Sequence, residues 1–202
     1  MSSPYLPNPY MKKIILAFLI TCICSITSAQ VRFGIKAGYN LSTLIYSGTT
    51  SLDGEKSMSG FNAGIFASIP FSKTFSLVAE SVYSSQGAGF QNAYGSGNFT
   101  YDYINIPVLL RYRLSMGIFF ETGLQAGILL SANEKSNGNT TNIMYRTYSQ
   151  DFAWPMGLGY QIPNQHVGVD LRYNLGLTNI SKSGSDVNVK NSVFQFGVFY
   201  TF

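Results

Sequence analysis

The stretch that decides the fold runs from Arg32 to Leu41 and reads RFGIKAGYNL. In an extended chain, successive side chains point to opposite faces. One face of this stretch is apolar, and the other is charged, small or polar. The apolar face holds Phe33, Ile35, Ala37, Tyr39 and Leu41, opposite Arg32, Gly34, Lys36, Gly38 and Asn40. This alternation predicts a β-strand between two different environments.

Seven further segments repeat the alternation, so the whole chain after the first thirty residues is predicted to be all-β. They lie at 61–69, 75–83, 103–113, 120–130, 151–161, 166–175 and 194–202. Three of the connections are short, at 70–74, 114–116 and 163–165, whereas those at 46–57, 85–100, 131–150 and 181–191 are long and polar. Strands of this number and length, joined by alternating short and long connections, predict an eight-stranded antiparallel up-and-down transmembrane β-barrel with short periplasmic turns and long extracellular loops.

Composition indicates which face meets water. Charged residues make up only 11% of the chain, against about 25% in average soluble proteins. The polar faces carry the charges Arg32, Lys36, Glu80, Arg111, Arg113, Glu121, Asp170 and Arg172, whereas the apolar faces carry none. A soluble barrel of the lipocalin type would need far more charge on its exterior. We therefore expect the apolar faces to meet lipid, with aromatic belts at both ends, and the charges to fill the lumen.

Residues 1–29 are predicted to be a signal peptide that is removed from the barrel domain at 30–202. Lys12 and Lys13 precede an apolar stretch, and the small residues before Gln30 suit cleavage after Ala29. Residues 1–10 lie upstream of a better start at Met11. Both cysteines, Cys22 and Cys24, fall in this segment, and neither follows the small residue that a lipoprotein site needs.

The remaining chain offers little chemistry. Once Lys12 and Lys13 leave with the leader, 11 basic residues face 9 acidic ones, so the net charge of +2 gives no support to a nucleic-acid partner. No metal cluster, phosphate-binding loop or pair of catalytic carboxylates stands at a recognisable spacing. We expect no catalytic, cofactor-binding or metal site. The single histidine, His166, is interpreted as a turn residue on the periplasmic side.

The inward charges are interpreted as a structural network that closes the lumen, because eight strands leave room only for side chains. We expect Glu80 and Glu121 to pair with Arg111 and Arg113 lying between them. A narrow ion or proton path is the alternative. The predicted outer loops carry aromatic residues suited to partner contact, at Tyr94, Phe99, Tyr101, Tyr145 and Tyr148.

Several segments together resemble the PorT-like outer-membrane β-barrel proteins of Gram-negative bacteria. They are Phe33–Ser42 (FGIKAGYNLS), Tyr83–Gly87 (YSSQG), Tyr103–Tyr112 (YINIPVLLRY), Gly157–Tyr160 (GLGY) and Asp170–Asn179 (DLRYNLGLTN), with Phe202 at the end. The resemblance implies an outer-membrane barrel in contact with membrane lipid, and it implies that Phe202 is the signal read by the barrel-assembly machinery.

These observations predict a structural or surface-interaction protein rather than an enzyme, with surface or envelope proteins as partners through its loops. One alternative is an accessory component of a secretion or envelope-assembly system. Others are a lipid-modifying enzyme, which would need a serine or carboxylate beside His166, and a narrow pore.

Overall fold

The computed structural model describes residues 31–47, 55–92, 95–136, 138–182 and 188–202. The predicted signal peptide and Tyr94 lie outside these residues. Nine antiparallel strands follow one another along the chain. They are β1 (Arg32–Ser47), β2 (Glu55–Pro70), β3 (Phe75–Asn92), β4 (Gly95–Arg113), β5 (Ile118–Ser136), β6 (Asn139–Asn142), β7 (Gln150–Gln161), β8 (Val167–Gly176) and β9 (Asn188–Thr201). A short 3-10 helix, Met144–Arg146, follows β6.

Eight of these strands close into a barrel. Each pairs with its neighbour in the chain, β5 pairs with β7, and β1 pairs with β9 from Gly34 to Ser47, which closes the ring. The four-residue β6 pairs only with the far end of β5 and stands outside the ring. The predicted eight-stranded up-and-down barrel is confirmed. Among the residues that the structure describes, no helix is long and apolar enough to cross a bilayer.

The outer surface of the barrel is an apolar band with aromatic residues at both ends. Side chains of the predicted apolar faces are exposed on every strand of the ring, for example Ile65 on β2, Leu124 on β5 and Val198 on β9. At the short-turn end, Phe75 packs against Tyr112 with ring centroids 5.1 Å apart. The polar faces point into the barrel, and most of their side chains are buried. This arrangement is the inverse of a soluble barrel's, as the low charge content indicates.

Strands β3, β4 and β5 are much longer than the sequence predicts. They contain 18, 19 and 19 residues, whereas about 9–11 residues cross a bilayer at the usual tilt. The prediction of a long loop over 85–100 is wrong for its described part, because β3 and β4 remain paired to Asn92 and Gly95. The segment 131–150 likewise contains the end of β5, β6 and the 3-10 helix. Three strands therefore form a wall that projects well beyond the apolar band.

A β-bulge changes which residues of β5 face the lumen. The register between β4 and β5 shifts between Asp102 and Tyr103, so that Leu130 has no partner in the ladder. Leu129 is buried and Leu130 exposed, but beyond the shift it is the even-numbered Ala132 that points inward. An extra residue in one strand reverses the alternation of its faces, as expected for a bulge.

The pairing of β3 with β4 beyond the apolar band predicts slow amide exchange. We expect the backbone amides of residues 86–91 and 96–101 to exchange with deuterium orders of magnitude more slowly than those of the turn at 71–74, because the former lie in a paired ladder. Hydrogen-exchange mass spectrometry of the protein in detergent measures both segments in one experiment. Exchange as fast as in the turn would contradict the extended hairpin.

Candidate functional site

The lumen contains a cluster of six buried charges, which we call the charge network. Its members are Lys36, Glu80, Arg111, Glu121, Asp170 and Arg172. They come from β1, β3, β4, β5 and β8, so the cluster ties opposite walls together. Three positive and three negative side chains balance one another within it. Its ion pairs bury both partners, which is the arrangement that a lumen filled with side chains requires.

Arg172 is the centre of the network. It lies on β8, on the opposite side of the ring from β3, and donates across the lumen to both oxygens of Glu80 over 2.8 Å. The same guanidinium donates to Oε1 of Glu121 from Nε at 3.0 Å and from Nη2 at 2.5 Å. Arg172 therefore holds two carboxylates from different strands. Without it, these two negative charges would face each other in a closed interior.

The remaining members complete the pairing. Arg111 and Glu121 are direct neighbours across β4 and β5, and Arg111 donates to Oε2 of Glu121 from Nε at 3.0 Å and from Nη2 at 2.8 Å. The Lys36 ammonium lies 3.5 Å from Glu80 and 3.4 Å from Asp170. The expected pairing of Glu80 with Arg111 and Arg113 differs from this arrangement, because Glu80 pairs with Arg172 and Lys36. Periodicity assigns a side chain to a face but does not say which strands meet across the lumen.

Two residues of the sequence-predicted set lie elsewhere. Arg32 begins β1 and Arg113 ends β4, so both stand at the short-turn end of the lumen, where Arg32 is exposed and Arg113 half-buried. Among the described residues, no carboxylate lies within 4.0 Å of either guanidinium. We call this pair the cationic mouth.

Aromatic rings are interleaved with the charge network, and sequence reasoning missed them as a lumen feature. Phe66, Phe119 and Phe199 point inward and pack with Val78 and Leu109; we call this cluster the aromatic plug. The Phe199 ring stands edge-on to those of Phe66 and Phe119, with centroids 6.0 and 5.9 Å apart. Their positions in the sequence already indicate the inward direction, because each of the three stands an even number of residues from the lumen-facing polar residues of its strand.

The plug and the network contact each other directly. The guanidinium carbon of Arg111 lies 4.1 Å from the centre of the Phe119 ring, within the range of a cation–π interaction. Glycines on the neighbouring strands make room for the rings. A Cβ on Gly159 would overlap the Phe119 ring, and one on Gly168 would overlap that of Phe199. Gly159 and Gly168 therefore leave the space that the two rings occupy.

Two further layers fill the lumen toward the long-loop end. In the first, Asn40 donates to the Ser84 hydroxyl over 2.9 Å and accepts from Asn62 at 2.7 Å and from Gln195 at 3.0 Å. The second is a buried apolar cluster that includes Leu44, Tyr101, Leu129, Ile143 and Ile180. Tyr101, predicted to be an exposed loop residue, is buried in this cluster, and Phe99 packs against it. The described lumen is thus occupied by side chains from the aromatic plug to its long-loop end.

His166 lies at the short-turn end. Its Nδ1 is 2.6 Å from the backbone carbonyl oxygen of Thr201, and its ring stacks on Tyr200 with centroids 5.6 Å apart. In the part of the chain that the structure describes, no serine hydroxyl or carboxylate hydrogen-bonds to it, and no cluster of metal-ligating side chains is present.

The long-loop end carries an exposed surface that we call the rim patch. It consists of Met144, Tyr145 and Tyr148, together with the cations Arg146 and Lys182. The backbone holds the patch in place, because the Lys182 amide donates to the Arg146 carbonyl over 2.8 Å and Thr147 forms a β-bridge with Ser181. Tyr145 and Tyr148 are 66% and 47% exposed.

The sequence and the fold can be compared with those of known proteins. The family model described as "Outer membrane protein beta-barrel domain" matches residues 27–182. Ail, the attachment invasion locus protein of Yersinia pestis, superposes with a TM-score of 0.52 and 19% identity over 85% of this chain and 99% of its own. Neisserial surface protein A superposes with a TM-score of 0.54 and 14% identity over 84% and 97%. No curated protein matches in sequence. The two structures share the barrel fold, and the family places the apolar band in an outer membrane.

Proposed function

Since the chain belongs to the outer membrane protein beta-barrel domain family, we propose that it acts in the Gram-negative outer membrane as an interaction protein, neither a pore nor an enzyme. The observation that carries the proposal is the contrast between the two parts of the barrel. The lumen is filled by side chains, whereas the outer end presents the rim patch on an ordered backbone. Exposed apolar side chains clustered outside the lipid band are typical of a site for a partner protein.

The character of the rim patch suits protein recognition. Tyrosine supplies a large contact area with little conformational freedom to lose, and it is common in binding surfaces. Each cation lies near a tyrosine ring, with Arg146 at 5.2 Å from the Tyr145 centroid and Lys182 at 5.5 Å from that of Tyr148. The patch therefore offers apolar contact and positive charge side by side. An envelope or surface protein with an acidic, aromatic epitope fits it best.

A cross-linking experiment in intact cells tests the patch. With a photo-reactive amino acid at Ser149, beside the patch, we expect one or a few discrete adducts. The double substitution Tyr145→Ser and Tyr148→Ser should lower their yield at least several-fold, because it removes the rigid contact area. The matched control is Tyr160→Ser, which removes an exposed tyrosine from the short-turn belt. Equal yields from all three proteins would refute the proposal.

The closed lumen is tested separately. In a planar bilayer the purified protein should show no steady ohmic current, because charged and aromatic side chains occupy the path. A stable conductance that scales linearly with voltage would assign a pore function instead. The variant Arg172→Ala, recorded in parallel, serves as the sensitivity control, since removal of the central side chain gives the lumen its best chance to conduct.

Within the family we propose the finer placement among PorT-like barrels. The segments that carry the resemblance also supply four of the six network residues: Lys36 comes from the first, Arg111 from the third and Asp170 with Arg172 from the last. We propose too that residues 1–29 are a cleaved export signal. Sequencing the N-terminus of the protein isolated from outer membranes checks this, with Gln30 expected as the first residue.

A further inference from the structure

The cationic mouth carries charge that the barrel does not neutralise. The charge network is balanced by itself, with three cations and three anions held in buried ion pairs. Arg32 and Arg113 are additional to it, and among the described residues neither has a carboxylate within 4.0 Å. Two arginines on different strands therefore share one end of the lumen, and neither forms an ion pair with a described residue. An arrangement of this kind attracts an anion from outside.

Two cavities meet at these arginines. One has a volume of about 500 Å³ and is lined by Gln161, Gln165 and His166 among others. The second, of about 170 Å³, lies beside the turn between β2 and β3 and includes Lys73. Arg32 and Arg113 are the lining residues that the two cavities have in common. An anionic group bound between the guanidinium groups would thus have a cavity on either side.

The position of the mouth indicates where its ligand comes from. Arg32 has the inward parity of Lys36, and Arg113 has that of Arg111, so both belong to the lumen face and not to the lipid face. In an outer-membrane barrel the short turns face the periplasm. Lipid headgroups surround the outside of the ring, whereas the mouth opens inside it. The ligand therefore enters from the aqueous periplasm.

Chemistry and shape together define the ligand. The planar forks of arginine bind carboxylates in bidentate geometry. A free oxyanion would fill only the space between the two guanidinium groups and leave both cavities empty. A peptide chain with an anionic group along its length would occupy the space between the guanidinium groups and also both cavities. The side-chain amides of Gln161 and Gln165 suit contacts with a peptide backbone.

We propose that the cationic mouth binds an acidic peptide segment of a periplasmic protein, with a carboxylate between Arg32 and Arg113 and the flanking residues in the two cavities. This site lies at the opposite end of the barrel from the rim patch and is independent of it. It gives the protein a second interaction surface, on the periplasmic side of the membrane.

Fluorescence anisotropy with a defined probe tests the proposal. The full chain is placed in phosphatidylcholine nanodiscs and titrated against a labelled peptide that has a central run of glutamates between serines. We expect saturable binding that weakens with salt. The double variant Arg32→Gln/Arg113→Gln should bind at least about tenfold more weakly, and each single variant should fall in between. The matched control, Lys56→Gln/Lys135→Gln, removes two exposed cations from the long-loop end that belong neither to the mouth nor to the rim patch, and it should bind like wild type.

Three results would overturn the proposal. The first is binding that the double mouth variant does not weaken, or equal binding of a peptide with glutamine in place of glutamate. The second is displacement of the peptide by inorganic phosphate at equal concentration, which would assign a small-anion site. The third is displacement of the peptide by soluble glycerol phosphate but not by inorganic phosphate, which would assign the mouth to lipid headgroups. Arg32→Lys/Arg113→Lys, which keeps the charge, guards against a folding defect and should retain part of the affinity.

Discussion

Replacing Arg172 with methionine is expected to destabilise the barrel by roughly 3–5 kcal/mol, because it removes the cation shared by two buried carboxylates. Methionine keeps the unbranched stem of arginine but lacks the guanidinium group, so the variant removes the charge and its hydrogen bonds. Glu80 would keep only Lys36 at 3.5 Å, and Glu121 would keep only Arg111. The measurement is the midpoint of unfolding in urea. The folded fraction at each urea concentration is read from gel mobility in detergent, because the folded barrel migrates differently before and after heating.

Two further variants distinguish loss of the charge network from the general effect of removing a cation. Arg146→Met removes an exposed cation from the rim patch and should change stability by less than about 1 kcal/mol. Adding Glu80→Gln to Arg172→Met should restore part of the loss, since it removes one uncompensated negative charge. If Glu80→Gln alone and Arg172→Met alone both left the midpoint unchanged, the network would have no structural role.

Truncating Phe119 to alanine is expected to cost about 3–5 kcal/mol, because the ring is fully buried and its removal leaves a cavity. The substitution also removes the surface against which the Arg111 guanidinium packs. The neighbouring residue provides a matched control. Phe120 faces lipid and is 50% exposed, so Phe120→Ala deletes the same atoms without opening a cavity in the lumen. We expect its effect to be clearly smaller.

A double-mutant cycle tests the fit between the ring and its glycine. Gly159→Ala alone should destabilise the barrel, because its Cβ would overlap the Phe119 ring. In the Phe119→Ala background the ring is gone, and the same change should cost less. Additive losses, measured by the same urea midpoints, would show that the two positions do not contact each other in the folded barrel.

The sequence is most informative where lipid and lumen impose opposite demands on neighbouring residues. In β1 and β8 the alternation is strict, and both the strand and the inward direction of Lys36 or Arg172 follow from it. Beyond the bilayer this contrast disappears, because water lies outside the barrel as well. The segment 85–100 is rich in glycine and polar residues, so it looks like a loop although it pairs as a hairpin.

The contents of the lumen were only partly predictable. Parity correctly directs Glu80, Glu121 and Arg172 inward, but their pairing depends on which strands stand opposite each other in the closed ring. Phe119 was overlooked for a related reason. A single aromatic residue on a polar face is a weak signal until the glycine on the next strand is known to lie beneath it.

The unequal length of the strands also determines which part of the barrel is weakest. The seam between β1 and β9 is paired from Gly34 to Ser47, although it joins the two ends of the chain. The three ladders that β7 and β8 form with each other and with their neighbours are shorter, with nine residue pairs in each. Fewer backbone hydrogen bonds hold this side together, so thermal fraying and mechanical rupture start there rather than at the closing seam. A sideways passage from the lumen into the bilayer, if the barrel is ever forced to open one, forms beside β7 or β8.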